Sequence, residues 1–214
     1  GKISAPRLRK NVERIMRLST PFDAAEAYDA ILMLGTPQEL GQVRKGMAPD
    51  LYAKDARKRL LGSNVSLYDA MATASGWDTL ASEWVTGMKI SFEVGYPTFL
   101  EVFQKVGDIN TATVHTFLTI LSKFPDTFIA RKVGLKEASN IKKAVEIGRQ
   151  KTRWISDRAE NVLKLGGLTT RKGREALYGF DKVLQEAKGE LNPGTTADLT
   201  AATLLIAILC GFRF

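Results

Sequence analysis

The chain has 214 residues, with 31 lysines and arginines against 23 aspartates and glutamates, a formal charge of +8. An apolar share of 44% and a charged share of 25% are those of a folded protein and exclude a disordered or collagen-like chain. A single cysteine, Cys210, and a single histidine, His115, exclude a disulfide framework, a cysteine-based zinc site and every two-histidine metal motif.

The length supports one sizeable core, and the basic balance points to acidic substrates or partners. Gly1 to Arg14 is basic and polar with no apolar run behind it, so it is not a signal peptide. The longest apolar stretch, Ala201 to Phe212, is broken by Thr203 and is too short to span a bilayer. It reads as a buried core helix, and a cytoplasmic protein with no membrane partner is expected. The chain opens without an initiator methionine, which fits a trimmed, cleaved or partial chain.

The apolar spacing predicts helix after helix. Arg7 to Leu18 places Leu8, Val12, Ile15 and Met16 at helical intervals. Thr20-Pro21-Phe22-Asp23 is a start signal, with a capping hydroxyl, a proline at the first helical position and an acid in the first turn. That helix ends at Gly35, and Thr36-Pro37-Gln38-Glu39 repeats the signal for a short one. Leu51 to Leu61 is helical and basic. Ser66 to Asp69 reads as a capping box. Asp78 to Val94 forms one helix with Leu80, Trp84, Met88 and Phe92 on one face. Pro97 to Val106 and Thr111 to Lys123 follow, and Pro125 interrupts. Beyond Gly134 the pattern stays helical to Leu165, where Gly166-Gly167 stops it. Thr169 to Lys188 is one more helix. After the Asn192-Pro193-Gly194 turn, Thr195 or Thr196 caps a last helix to Leu209. Strand signals are nearly absent. The expectation is a single all-α domain over residues 1–214, with about nine or ten helices packed around the Thr111 and Ala201 segments.

Two segments combine chemistry-bearing residues with helix starts. In the first, Asp126 opens a helical stretch and Arg131 and Lys132 follow. A carboxylate for a metal or hydroxyl would stand beside a guanidinium able to grip phosphate. On spacing alone the simpler reading is a first-turn acid favoured by the helix dipole. In the second, Asn192, Pro193 and Gly194 turn into a helix beginning Thr195-Thr196, with Asp198 behind. Backbone N–H groups at such a start bind anions, and Asp198 could hold Mg²⁺ or a ribose hydroxyl. A capping box between Thr195 and Asp198 is the simpler reading here too. A third segment, the basic run from Arg131 to Arg158, could track a phosphate backbone through Arg149, Arg153 and Trp154. Its interleaved acids Glu137, Glu146, Asp157 and Glu160 favour a solvated helix face instead. His115 lies within an apolar helix and reads as hydrogen-bonded structure; Cys210 reads as inert core.

Taken in order, these segments resemble the triphosphoribosyl-dephospho-CoA synthase family, in particular its archaeal-looking branch. Asn192-Pro193-Gly194-Thr195-Thr196-Ala197-Asp198-Leu199 is similar to the family's C-terminal signature, and Pro125-Asp126-Thr127 with Arg131 and Gly134 is similar to its Asp-Thr…Arg-Gly segment. Ser66 to Asp69, Trp84-Val85 and the helix holding His115 and Leu118 add to the likeness. The family's Lys-Pro-Gly and Gly-rich Asn-Thr-His segments have no counterpart. The chain therefore looks like the C-terminal two-thirds to three-quarters of such a protein, with an N-terminal segment as a missing partner. Phe128 stands where many members have asparagine.

The resemblance implies transfer of the triphosphoribosyl group of ATP to the 2′-hydroxyl of 3′-dephospho-CoA, with release of adenine and with Mg²⁺ as cofactor. On that basis Asp126 and Asp198 are the catalytic and magnesium-binding candidates. Arg131, Lys132, Asn192, Gly194, Thr195 and Thr196 are the candidates for substrate phosphates. The resemblance lifts the functional reading of both segments slightly above simple capping, and a cap and a site can coexist. The competing readings are a basic all-helical nucleic-acid-binding module and a nucleotide- or CoA-binding fragment without turnover. The apolar helices would also support a homodimer.

Overall fold

A computed structural model describes residues 3–33 and 48–213. Among the described residues the chain is all-α, without a strand, and forms twelve α-helices rather than nine or ten. They are α1 (Ala5–Arg17), α2 (Pro21–Met33), α3 (Ala56–Gly62), α4 (Leu67–Ala74), α5 (Thr79–Thr86) and α6 (Tyr96–Val106). There follow α7 (Ile109–Lys123), α8 (Thr127–Leu135), α9 (Ile141–Lys151), α10 (Arg153–Lys164), α11 (Arg171–Glu186) and α12 (Gly194–Leu209). The short helix expected from Thr36 lies outside the described residues. None of the described helices is long and apolar enough to cross a membrane.

The extra helices come from breaks that apolar periodicity does not register. The stretch from Asp78 to Val94 is two elements, because Gly87 and Met88 both take left-handed backbone conformations. The chain restarts through a π-helical turn, Ser91–Gly95, that runs into α6. The buried Glu83 carboxylate anchors this restart, accepting from the Ile90 and Ser91 N–H groups at 2.7 and 3.0 Å and from Ser91 Oγ at 2.7 Å. Between Gly134 and Leu165 the single expected helix is α9 and α10 following the end of α8. Asn140 caps α9 by accepting from Lys143 N, and Thr152 separates α9 from α10 while its hydroxyl donates to the Gly148 carbonyl. The expected capping box at Ser66 forms in full, with Asp69 as its partner.

Helix α7 is the spine. One side buries Leu118 and Leu121 against Ile129 of α8, Ile155, Ala159 and Val162 of α10, and Phe180 of α11. Each large side chain so buried contributes roughly 1.5–3 kcal/mol. The other side packs Ala112 against Phe99 of α6 and Ala207 of α12. Phe212 closes that cluster edge-on, 5.1 Å from Phe99 and 4.8 Å from Phe103. A separate cluster joins Ala24 and Ala25 of α2 to Leu60 and Val65.

Helices α8 and α9 touch backbone to backbone. A Cβ at Gly134 would fall on the Ala144 carbonyl, and one at Gly148 on the Ala130 carbonyl. Only glycine permits this crossing, and the crossing fixes where α8 points its first turn.

His115 is structural. Its Nε2 accepts from the Leu168 N–H at 3.1 Å, holding the short 3₁₀ turn Gly167–Thr169 against α7. Burial first, and the Lys105 charge second, lower its pKa from 6.5. The unfolded chain therefore takes up this proton before the folded one does, so folding stability falls as pH drops below about 6.5. The melting temperature should decline on acidification from pH 7. His115→Gln, which keeps an acceptor but does not titrate, should remove that part of the decline. An unchanged profile would mean that other groups govern it.

Candidate functional site

Three helix N-termini meet on one side of the molecule. Asp78 caps α5, its Oδ1 accepting from Ala81 N at 2.9 Å. Asp126 caps α8, its Oδ1 accepting from Phe128 N and Ile129 N at 3.0 and 3.1 Å. Helix α12 begins at Gly194 behind Pro193 and has no side-chain cap of its own. Asp126 supplies that cap from across the fold, its Oδ2 accepting from both the N–H and the hydroxyl of Thr196 at 2.8 Å. The local capping box expected between Thr195 and Asp198 does not form.

Hydroxyls stitch the same junction together. Thr127 Oγ1 accepts from Thr79 N at 3.2 Å and lies 3.3 Å from Thr195 Oγ1, which accepts from Phe128 N at 3.2 Å. The positive ends of α5, α8 and α12 are thereby held side by side, and the Asp78 and Asp126 carboxylates are the anions seated on them.

Against this junction lies a cavity of about 290 Å³ lined by Asp78, Phe128, Arg131, Asn192, Gly194, Thr195 and Asp198. The Arg131 guanidinium lies 5.3 Å over the Phe128 ring, and its Nε is buried without a hydrogen-bond partner among the described residues. The ammonium of Lys132 lies 4.5 Å from the same ring and donates to the Gly189 carbonyl at 3.4 Å. One aromatic ring thus contacts two cations, of which Arg131 lines the cavity.

The expected site residues divide into two groups. Arg131, Asn192, Gly194, Thr195 and Asp198 come together on the cavity. Asp126 and Thr196 sit behind its wall, 4% and 1% exposed. Lys132 contacts the Phe128 ring but does not line the cavity. The two aspartates differ in chemical state. Burial pushes the Asp126 carboxyl above the ordinary carboxylate range, while four hydrogen bonds pull the other way. Asp198 is reached by solvent and accepts no hydrogen bond from a described residue, and its partial desolvation also raises its pKa. No group of three or more histidine, cysteine, aspartate or glutamate side chains is arranged to hold a metal among the described residues.

The basic run does not form one track. Arg149 turns back to the Trp77 carbonyl at 3.4 Å. Trp154 packs on the main core with Arg158 5.4 Å above its ring, and Lys151 and Arg153 pair with Glu137 and Asp157.

Residues 2–213 match the family model described as CitG, ATP:dephospho-CoA triphosphoribosyl transferase. The chain belongs to this family. It is 26% identical over 180 residues to a 2-(5''-triphosphoribosyl)-3'-dephosphocoenzyme-A synthase of Escherichia fergusonii, covering 82% of this chain and 54% of that protein. A probable 2-(5''-triphosphoribosyl)-3'-dephosphocoenzyme-A synthase of Acinetobacter calcoaceticus is 26% identical over 124 residues, 58% of this chain and 37% of that one. The chain thus spans about half the length, or less, of these curated relatives. No solved structure matches it significantly.

Sequence reasoning missed Asp78, which faces the same cavity as Asp198. A signal was available: Asp78-Thr79 repeats the Asp126-Thr127 pair at another helix start. Phe128, noted only as a departure from the family pattern, proves to be the platform under Arg131 and Lys132.

Proposed function

We propose that this chain carries the nucleotide-handling part of a transferase that moves the triphosphoribosyl group of ATP onto the 2′-hydroxyl of 3′-dephospho-CoA. The observation that supports this best is the convergence of three helix N-termini, Arg131 and Asp198 on one cavity. The Arg131 guanidinium on this cavity suits a polyphosphate. A carboxylate with raised basicity suits an alcohol nucleophile.

In the reaction the C1′–N9 bond of ATP breaks and a bond from C1′ to the acceptor O2′ forms. Positive charge develops on the ribose as the bond breaks, and a nearby carboxylate stabilises it. Asp198 takes the proton from the 2′-hydroxyl, adenine leaves with a proton taken up from solvent, and Asp198 then returns its own proton to solvent. Arg131 holds the triphosphate, with Lys132 lending charge from its seat on the Phe128 ring. Asn192, Gly194 and Thr195 shape the wall that the anion meets.

Magnesium fits this arrangement as a companion of the triphosphate. Such ions are held by one or two carboxylates together with substrate phosphates. Asp126 is poorly placed to be one of them, since four donors already occupy its four acceptor positions. The second oxygen of Asp78 is better placed, and Asp126 acts as a positioning residue. The ion would supply neutralisation of phosphate charge.

The test is a melting curve of the chain with MgATP, with dephospho-CoA and with both, followed by measurement of free adenine. Ligand at about 100 times its dissociation constant should stabilise by roughly 2.7 kcal/mol. Stabilisation by MgATP, with adenine released only when both substrates are present, is expected. No stabilisation and no adenine would overturn the reading. A shift produced only by an oligonucleotide and lost at high salt would favour the nucleic-acid alternative.

A further inference from the structure

A second cavity, of about 750 Å³, opens between α7, α11 and α12. It shares Asn192 and Ala197 with the charged cavity, so the two form one continuous surface around the start of α12. Their chemistry is opposite. The larger cavity is walled by Val114, Phe117, Leu177, Leu184 and Leu204, and its charged lining residue is an acid, Asp181. No lysine or arginine among the described residues lines it, so it offers a polyphosphate no countercharge. It suits a neutral, elongated group tethered to one.

We propose that this cavity is the subsite for the pantetheine arm of the acceptor, an inference that rests on the transferase reading above. Both substrates carry an adenosine and a phosphate chain. Only the acceptor carries a long neutral arm on that chain, with two amides and a thiol. Size agrees, because cavities of roughly 300–1,000 Å³ enclose most of a ligand on this scale. Polarity agrees as well. Thr113, Gln185, Asn192 and Thr200 place a few hydrogen-bonding groups on an otherwise apolar wall, which is what an amide-bearing chain needs and a bare alkyl chain does not. Position agrees too: Asn192 and Ala197 line both cavities, so an arm lying here keeps the rest of the acceptor beside the junction that takes the donor's triphosphate. The arm also gives the site its means of telling acceptor from donor. The donor's triphosphate ends in charge and gains nothing from this cavity.

The experiment is titration calorimetry of the 214-residue chain with dephospho-CoA and with ADP, which keeps the adenosine and pyrophosphate but lacks the arm. The wild type and Ala201→Trp are compared. Ala201 is exposed at the cavity mouth, so an indole there intrudes on the cavity without displacing core. The expected result is at least tenfold tighter binding of dephospho-CoA than of ADP. Ala201→Trp should abolish that preference and leave ADP affinity within twofold, with the ligand-free melting temperature unchanged. Equal affinities in the wild type, a comparison that needs no variant, would overturn the subsite while leaving the nucleotide reading intact. A preference that survives in Ala201→Trp would also overturn it. Binding of neither nucleotide would overturn the transferase reading and this inference together.

Discussion

Asp126→Ala should be among the most destabilising single substitutions in this protein, lowering stability by about 3–5 kcal/mol. The carboxylate accepts four hydrogen bonds, three of them from backbone N–H groups at the starts of α8 and α12. Alanine removes the acceptor and leaves the donors in place, in a region where water does not replace it. An unsatisfied buried donor costs roughly 1–3 kcal/mol, and loss of an N-cap alone costs roughly 0.5–2. In a chain of this length each kcal/mol moves the melting temperature by roughly 2–4 °C, so a drop on the order of 10 °C is expected. Asp126→Asn keeps one acceptor oxygen and should fall between alanine and the wild type. If Asp126 instead served chiefly as a metal ligand, both variants would melt near the wild type in metal-free buffer, and only the wild type would respond to added Mg²⁺. Thermal denaturation with and without Mg²⁺ separates these outcomes.

The same residue marks the boundary of what the sequence could reveal. That Asp126 begins a helix was legible, because a cap is a local event and Asp-Thr after a proline announces it. That it also caps α12, seventy residues away, was not, because this second cap depends on α8 and α12 meeting N-terminus to N-terminus. The expected box between Thr195 and Asp198 failed because the helix starts at Gly194 behind Pro193, which puts Thr195 inside the first turn with its hydroxyl turned to Phe128 N, and Asp198 was left facing the cavity. The all-helical class was legible from apolar spacing throughout. The number of helices was not, since Gly87-Met88 and Thr152 interrupt the backbone without interrupting the apolar pattern. Asp78 went unread because nothing in its own neighbourhood says that α5 lies beside α8. The bond from Thr79 N–H to the Thr127 hydroxyl that joins them is purely tertiary, as is the contact from that hydroxyl to Thr195 Oγ1. Gly134 and Gly148 are of the same kind. Each is an unremarkable helical glycine until the two helices are laid together.

Asp198→Asn should leave the fold intact and reduce turnover by about 10²–10⁴-fold, the range expected for removal of a positioned general base. The side chain is exposed and takes no hydrogen bond from a described residue, so the amide disturbs nothing and the melting temperature should stay within a degree or two of the wild type. Its pKa is raised from the ordinary aspartate value by partial desolvation, so the proton-accepting form fills in at higher pH than in a free aspartate. The wild-type rate should therefore rise with pH through that limb and then level off, and the residual activity of Asp198→Asn should lack the limb. Affinity for MgATP separates the two roles open to this carboxylate. A base acts on the acceptor hydroxyl, so the asparagine variant should bind MgATP within about twofold of the wild type. A magnesium ligand would show the opposite pattern, with MgATP affinity lost along with turnover and partly restored by raising the Mg²⁺ concentration. Turnover that persists in Asp198→Asn would remove Asp198 from the chemistry and leave Asp78 as the carboxylate facing the reacting ribose, because Asp126 lies behind the wall with its oxygens occupied.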